Sequence, residues 1–131
     1  MFKRKKIFAV ILCAFFLLSF TSTNVLAATI YETYEPTSSS APFTTPTFTT
    51  TTTQLGYSFG RDVKNPKNNY VHTMTLQKLV NGTWKKVESV STTNTKTISS
   101  SFMNIVPGTI YRVILSTTDP SSQRNVLTLY E

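Results

Sequence analysis

Short stretches in which large and polar residues alternate recur along most of this chain, and turn-forming residues separate them. From Leu55 to Phe59 every second residue is large and apolar, and a similar alternation returns in residues 70–77. Because successive side chains of a strand point to opposite faces, each stretch predicts a strand with one buried face. Beyond residue 27 no stretch sustains the helical period. The pattern therefore predicts an all-β protein.

The clearest local signal is the pair Asn81-Gly82, which stands between two such stretches. Asn-Gly is the pair that most readily adopts positive φ at both central positions of a tight hairpin turn. A two-residue turn also sets which residues face one another across the hairpin. The pair therefore predicts that residues 74–80 and 83–90 form neighbouring antiparallel strands.

The last third of the chain predicts three more strands. Residues 96–102 alternate, the pair Pro107-Gly108 indicates a turn, and residues 110–115 are largely apolar on both faces, which is typical of a central strand. Residues 125–130 predict the last strand. With a threonine-rich first strand the total is about seven, at the roughly 8–12-residue spacing of a single antiparallel β-sandwich.

The start of the chain has a different pattern. A basic cluster at residues 3–6 is followed by an apolar run, residues 7–20, and small residues then surround Ala27. This is the layout of a secretory signal peptide, residues 1–27, and we expect cleavage after Ala27. A retained anchor is the alternative, but a spanning helix needs about 20 apolar residues and this run is shorter. The layout resembles that of Gram-positive bacterial secretory proteins and predicts a secreted, extracellular product without a stable membrane anchor.

Cys13 is the only cysteine, and it lies inside the apolar run of the signal peptide. A lipid-modified cysteine would follow a small residue, whereas Cys13 follows Leu12. The cleaved chain would therefore contain no thiol, which excludes disulfides, thiolate metal sites and cysteine nucleophiles. Its stability must come from packing.

Cleavage also changes the charge balance. The full chain has 13 Lys and Arg against 6 Asp and Glu, a formal net charge of +7; four of the basic residues and none of the acidic ones precede residue 28, so the product carries +3. The remaining cations form no dense run of the kind that follows a nucleic acid backbone. Nucleic acid is therefore not an expected partner, whereas weak attraction to an anionic surface is expected.

Residues 28–42 are rich in Ser, Thr and Pro. This composition predicts a flexible, extended arm that precedes a β-sandwich domain of residues 43–131. The threonine tract, residues 49–53, leaves two alternatives open. Its β-branched residues fit a strand of the first sheet, or the tract continues the arm.

Residues 105–113 read Ile-Val-Pro-Gly-Thr-Ile-Tyr-Arg-Val. This segment resembles the turn and strand that fibronectin type III domains write as apolar-x-Pro-Gly-Thr-x-Tyr-x-Val, and the similarity covers about the last 60 residues. The resemblance implies an immunoglobulin-like β-sandwich, with Pro107 and Gly108 in a structural turn. It also implies that Tyr111 forms a tyrosine corner, whose hydroxyl bonds to the chain a few residues upstream. Such folds host binding more often than catalysis.

Groups that could perform catalysis are few. His72 is the only histidine, so a metal site of several histidines is impossible. Its alternation with Met74 and Leu76 predicts a partly buried strand residue that is hydrogen-bonded to its neighbours. The carboxylates are scattered, and no phosphate-binding glycine loop or acidic calcium loop occurs. We therefore expect a protein that is not an enzyme and holds no cofactor and no metal.

Trp84 follows the hairpin turn and has three lysines nearby, Lys78, Lys85 and Lys86. An exposed aromatic suits a glycan, because sugar rings stack on aromatic faces. Cations beside the aromatic suit an anionic cell-wall polymer or a phospholipid surface. Two alternatives compete with this interpretation: the aromatic ring packs in the core or on a sheet face, and the lysines protect a strand edge from aggregation.

Three functions are consistent with these observations. The first is a secreted binding or adhesion module at the cell surface or in the extracellular matrix, loosely associated with the wall. Its partner would be an anionic cell-wall polymer, a glycan or another surface protein. The second is a secreted antimicrobial or inhibitor-type effector. The third is a structural subunit that self-associates by adding residues 47–53 as an edge strand to a neighbour.

Overall fold

The computed structural model describes residues 28–33, 36–62, 70–93, 96–121 and 123–131, and the predicted signal peptide lies outside these residues. Nine strands occur within the described residues. The first five are β1 (Thr29–Thr33), β2 (Pro36–Thr37), β3 (Phe43–Thr44), β4 (Leu55–Asp62) and β5 (Val71–Val80). The last four are β6 (Thr83–Thr93), β7 (Ile98–Phe102), β8 (Tyr111–Thr117) and β9 (Gln123–Tyr130). In this part of the chain no helix is long and apolar enough to cross a membrane.

The strands form two antiparallel sheets with a shared core. In the first sheet the strand order is β1-β9-β4-β7, and β2 also pairs with β9. In the second sheet the order is β3-β8-β5-β6. The predicted all-β sandwich is therefore confirmed. The sequence predicted one threonine-rich strand before Leu55, whereas the structure has β1, β2 and β3 there.

The core lies between the sheets and follows the alternation visible in the sequence. Leu55, Tyr57 and Phe59 of β4 are buried because every second side chain of the strand turns toward the other sheet. The remaining buried core residues are Met74, Leu76, Phe102, Ile105, Tyr111, Val113, Leu115, Leu127 and Leu129. Full burial of one such side chain contributes roughly 1.5–3 kcal/mol, so this alternation holds the two sheets together.

The hairpin between β5 and β6 has the geometry that the sequence predicts. Asn81 and Gly82 both have positive φ, 50° and 77°. This is the conformation of a tight primed turn, whose twist matches that of the strands it joins. Val80 lies directly opposite Thr83, and the pairing continues to the far end of both strands.

The prediction of a flexible arm over residues 28–42 is wrong for the described part of that range. β1 pairs with β9, where Tyr31 lies opposite Leu129, and β2 pairs with β9, where Thr37 lies opposite Gln123. Thr, Ile and Tyr fit an extended strand, and without β1 one edge of β9 would expose unpaired backbone groups. The sandwich therefore includes both strands.

The threonine tract at residues 49–53 forms no strand. The backbone oxygens of Thr50 and Thr53 accept hydrogen bonds of 3.0 Å from the backbone N–H groups of Gly108 and Ile105. The tract is thus tied to the loop between β7 and β8. Neither of the two alternatives, a strand or a continued arm, describes it.

Tyr111 has the environment that the resemblance implies. Its ring is buried, and its hydroxyl accepts a hydrogen bond of 2.9 Å from the backbone N–H of Val106. Gly108, which follows Pro107, has a φ of 77°, a conformation that glycine adopts most readily. The strand order differs from the immunoglobulin pattern, in which the last strand lies beside its predecessor. Here β9 lies in the first sheet and β8 in the second.

The antiparallel order places the connections at two ends of the sandwich. At one end, which we call the hairpin end, lie the Asn81-Gly82 turn and the loop of residues 103–110. At the other, which we call the Arg61 end, β4 finishes near Arg61 and β5 starts near His72. The two ends, and the sheet face between them, carry different sets of charged, polar and apolar side chains.

Candidate binding surface

Trp84 and its neighbours lie on the outer face of the second sheet. Arg112 stands between two buried residues of β8, so its side chain points away from the core. Gln77 lies directly opposite Arg112, and directly opposed residues share a face. On β6, Lys86 lies opposite Gln77, and Trp84 lies opposite Leu79. We call these five residues the Trp84 face.

A β-bulge determines which residues of β6 belong to this face. Leu76 lies opposite Glu88 whereas Gln77 lies opposite Lys86, so Val87 is an extra residue on β6. An unbroken register would place Val87 opposite Gln77 and would turn Trp84 to the inner side of the sheet. Bulges often redirect a side chain near a functional site. Here the bulge brings Trp84 and Lys86 to the outer face.

The guanidinium group of Arg112 is held from two sides. Its central carbon lies 4.1 Å from the centre of the Trp84 ring, which is the geometry of a cation–π contact. Its Nε donates a hydrogen bond of 2.8 Å to Oε1 of Gln77. Among the described residues no other group accepts a hydrogen bond from Arg112. The two terminal nitrogens therefore remain as donors for a ligand.

The electrostatic character of the Trp84 face is cationic. Arg112, Gln77 and Lys86 form one row across three strands, which places the two cations about 10 Å apart at the backbone. The described positions that share this face in the register of β5, β6 and β8 include no acidic residue. The acidic residue of β6, Glu88, lies opposite the inward-facing Leu76 and is therefore not in a position on the Trp84 face.

Hydroxyl groups extend the same face toward the Arg61 end. The side chains of Thr73 and Ser91 are hydrogen-bonded at 2.9 Å, and those of Thr75 and Ser89 are also bonded at 2.9 Å. Each pair joins β5 to β6. The outer face therefore combines short polar side chains with a half-buried aromatic and two cations, a combination that suits a polar, anionic ligand.

The structure separates the four surface residues that the sequence grouped. Trp84 and Lys86 share the outer face, whereas Lys78 and Lys85 lie opposite each other on the inner side, where Lys78 also faces Tyr111. Trp84 is half-buried on the outer face, so its ring does not fill the core, and its contact with Arg112 is packing on a sheet face.

Sequence reasoning missed Arg112 and Gln77. Arg112 carried a signal, because it is the single charged residue in an apolar strand. The contact with Trp84 depends on the pairing of β8 with β5, which local alternation does not specify.

At the Arg61 end, polar side chains form a buried cluster. Arg61 Nη1 lies 3.1 Å from His72 Nδ1 and donates to Thr117 Oγ1 at 2.6 Å. Thr117 Oγ1 lies 2.7 Å from His72 Nδ1 and accepts a bond of 3.0 Å from the backbone N–H of Asp119. Arg61 Nη2 and Asp119 Oδ2, at 3.7 Å, form an ion pair in which both side chains are almost fully buried.

Arg61 also connects strands that are distant in sequence. Its Nη2 donates to the backbone oxygen of Thr37 at 2.8 Å and to that of Ser121 at 3.0 Å. The side-chain amide of Asn125 donates to the hydroxyl of Thr37 at 2.5 Å. The cluster therefore fastens β2 to the end of the sandwich.

Burial and neighbouring charges set the protonation of this cluster. Burial lowers the pKa of His72, and the charge of Arg61 lowers it further, against the opposing effect of Asp119. Burial lowers the pKa of Arg61 as well, partly offset by Asp119. Burial would raise the pKa of Asp119, but hydrogen bonds from Ser121 and the charge of Arg61 lower it overall. These shifts favour the ionised form of Asp119 and the neutral form of His72, and the ion pair with Asp119 favours the charged form of Arg61.

The cluster is closed to solvent. His72 is 0% exposed and Arg61 is 2% exposed, so His72 is more deeply buried than its alternation predicted. Within the described residues, His72 Nε2 and Arg61 Nε have no hydrogen-bond partner. The same part of the chain contains no group of three His, Cys, Asp or Glu residues that could hold a metal ion. This arrangement suits a structural role.

No protein-family model matches the chain, and a search of curated proteins finds no significant match.

Proposed function

We propose that this protein is an extracellular, non-catalytic binding module whose Trp84 face binds an anionic cell-wall polymer or an anionic glycan. One observation carries the proposal: the guanidinium group of Arg112 is held between Trp84 and Gln77, with its terminal nitrogens left as donors. Lys86 adds a second cation in the same row.

A guanidinium group that is held in place is well suited to phosphate or carboxylate. The planar guanidinium donates two parallel hydrogen bonds to such a group. Charge-assisted hydrogen bonds of this kind are stronger than those between neutral groups. Trp84 and Gln77 restrict Arg112 before the ligand arrives, so less conformational freedom is lost on binding. A polymer with repeated anionic groups could contact Arg112 and Lys86 together, because the two cations lie about 10 Å apart at the backbone.

Other features support the remaining parts of the proposal. The basic cluster and apolar run of residues 1–27 support export. The burial of His72, the only histidine, supports a role other than acid–base catalysis. Self-association through residues 47–53 has less support, because the backbone oxygens of Thr50 and Thr53 already accept hydrogen bonds within the chain.

Cosedimentation of the purified protein with cell walls that bear anionic polymer, at low ionic strength, tests the proposal. We expect Arg112→Gln to weaken binding roughly 10- to 100-fold, the range of a charge-assisted hydrogen bond. Arg112→Lys should recover only part of the affinity, because it restores the charge without the planar fork.

Arg124→Gln provides a charge-matched control, because Arg124 is exposed on β9 in the other sheet. Two results would contradict the proposal. One is a wild-type protein that does not sediment with the walls at low ionic strength, where charge attraction is strongest. The other is an equal loss of binding in Arg112→Gln and Arg124→Gln, which would mean that net charge alone attracts the protein.

A further inference from the structure

The hairpin end exposes apolar side chains that the core does not use. Val106, Met103 and Ile110 are 54%, 52% and 41% exposed, and Val71 at the Arg61 end is 39% exposed. These four are the exposed large hydrophobic residues of the described chain. Three of them therefore lie within one loop, residues 103–110, which makes this loop an apolar tip.

Hydrogen bonds hold this loop in place. The backbone N–H groups of Ile105 and Gly108 donate to the threonine tract, and that of Val106 donates to the hydroxyl of Tyr111. Ile105 and Tyr111 themselves fill the core beneath the loop. The exposed side chains therefore cannot turn inward without displacing residues that are already buried.

Two lysines lie at the same end of the sandwich. Lys78 lies directly opposite Lys85 on β6 and directly opposite Tyr111 on β8. Like charges in directly opposed positions destabilise a sheet unless an anion lies near them. The ion pair that the described residues form is between Arg61 and Asp119, at the other end. The lysine pair is thus an uncompensated cationic site next to the apolar loop.

One acidic residue shares this end. The carboxylate of Glu131 accepts hydrogen bonds from the backbone N–H and the hydroxyl of Thr51, the latter at 2.8 Å. These bonds lower the pKa of Glu131, so it remains ionised at neutral pH. Among these described side chains, two lysines outnumber one glutamate, so together they contribute a net positive charge to the hairpin end.

We propose that the hairpin end is a peripheral contact for a bilayer that contains anionic lipid. Met103, Val106 and Ile110 would enter the boundary between head groups and acyl chains, while Lys78 and Lys85 face the lipid phosphates. The positive charge of this end complements an anionic bilayer, and a bilayer also covers apolar side chains. A soluble anionic polymer offers only the charge. This contact has a different ligand from the Trp84 face and adjoins that face at Ile110, whose backbone oxygen accepts a hydrogen bond from the N–H of Leu79.

Flotation of the purified protein with vesicles tests the contact. We expect it to float with vesicles of equal parts phosphatidylglycerol and phosphatidylcholine, and not with phosphatidylcholine alone. The combined variant Met103→Gln, Val106→Ser and Ile110→Thr should bind at least about tenfold more weakly, because it removes the apolar area that the bilayer would cover.

Two further variants test the cations. Lys78→Gln and Lys85→Gln should each weaken vesicle binding about fivefold, the typical contribution of one cation near an anionic bilayer. Val71→Ser and Lys96→Gln are matched controls, because both residues are exposed and Val71 lies at the opposite end. Neither control should change the bound fraction.

Three results would overturn this proposal: no flotation with the anionic vesicles, full binding by the apolar variant, or complete competition by soluble glycerol phosphate. The last would identify phosphate recognition without a bilayer. Arg112→Gln should float like the wild type even though it loses polymer binding. The failure of the membrane contact can therefore be distinguished from the failure of the proposed function.

Discussion

At the Arg61 end, a guanidinium group that is 2% exposed is surrounded by an ionised carboxylate, backbone oxygens and a hydroxyl. At the hairpin end, Lys78 and Lys85 oppose each other with no such compensation, and Val106 is 54% exposed. At the Arg61 end the charged groups are buried and paired within the fold. At the hairpin end charged and apolar side chains face outward.

This difference indicates at which end amino-acid substitutions are tolerated without loss of the folded state. A buried charge must be compensated by hydrogen bonds and an opposite charge, so each member of the Arg61 cluster depends on the others. Lys85 and Val106 are exposed and have no such dependence, and substitutions at exposed positions usually change stability little. We therefore expect the Arg61 end to determine stability and the hairpin end to be free to serve binding.

The largest expected effect is that of Arg61→Ala. This substitution leaves Asp119 buried without its ion-pair partner, and it removes the bonds to Thr37 and Ser121. Breaking a buried ion pair from one side typically costs about 3–5 kcal/mol, and we expect the free energy of unfolding, measured by urea denaturation, to fall by that amount. Arg124→Ala, at an exposed arginine, should stay within about 0.5 kcal/mol of the wild type.

The combination of Arg61→Met with Asp119→Asn sharpens this test. Removing both charges should recover part of the stability that Arg61→Ala loses, because no unpaired charge then remains buried. A double variant as unstable as Arg61→Ala would mean that the bonds to the backbone, rather than the charge, explain the loss.

Tyr111→Phe should have the next largest effect. It keeps the buried ring and removes the acceptor of the Val106 N–H. An unsatisfied N–H that is partly buried costs about 1–3 kcal/mol, which thermal and urea unfolding would both detect. If the variant melts together with the wild type, the hydrogen bond makes no net contribution, and the comparison with a tyrosine corner loses its support.

The Arg61 end also predicts a pH dependence. The folded pKa of His72 lies below its ordinary 6.5. Below about pH 6.5 the unfolded chain therefore binds more protons than the folded chain, so the free energy of unfolding decreases as the pH falls. The slope for one group cannot exceed about 1.4 kcal/mol per pH unit. The contribution of Asp119 is lost only at lower pH, because its folded pKa lies below 3.8.

Urea denaturation at a series of pH values between about 5.5 and 7.5 measures this dependence. His72→Gln should flatten it, since His72 is the only histidine of the chain. An equal slope in the variant and the wild type would assign the pH dependence to other groups.

The smallest expected effect is that of Val106→Ser at the hairpin end. The side chain of Val106 is 54% exposed, so we expect a change of at most about 0.5 kcal/mol in the free energy of unfolding. A loss above about 1 kcal/mol would show that this end also supports the fold. Such a loss would remove the contrast between the two ends on which the proposed membrane contact depends.

Local sequence patterns were sufficient to predict the main strands and the turn of one hairpin. The alternation of Leu55, Tyr57 and Phe59 predicted which side of β4 is buried, and Asn81-Gly82 predicted the hairpin. Composition was misleading where strands lie in a region rich in serine and proline. There, pairing with β9 outweighs the flexibility that the composition suggests.

The candidate site was predicted only in part. Trp84 and Lys86 were named from the sequence, but their shared face depends on the extra residue Val87 in β6. A bulge depends on how two strands align, so no single strand's alternation specifies it. Arg112 joins the site for a similar reason, because it lies more than twenty residues after Trp84 in sequence and reaches that ring only through the pairing of strands in the sheet.

The sequence by itself determined the strand class, the buried side of the main strands and the geometry of the hairpin, because these follow from side-chain alternation and from local φ preferences. The tertiary structure decided the rest: the pairing of β1 and β2 with β9, the contact of Arg112 with Trp84, and the enclosure of Arg61 with His72 and Asp119. These contacts join residues that are distant along the chain. Their partners are set by the packing of whole sheets, which alternation within one strand does not specify.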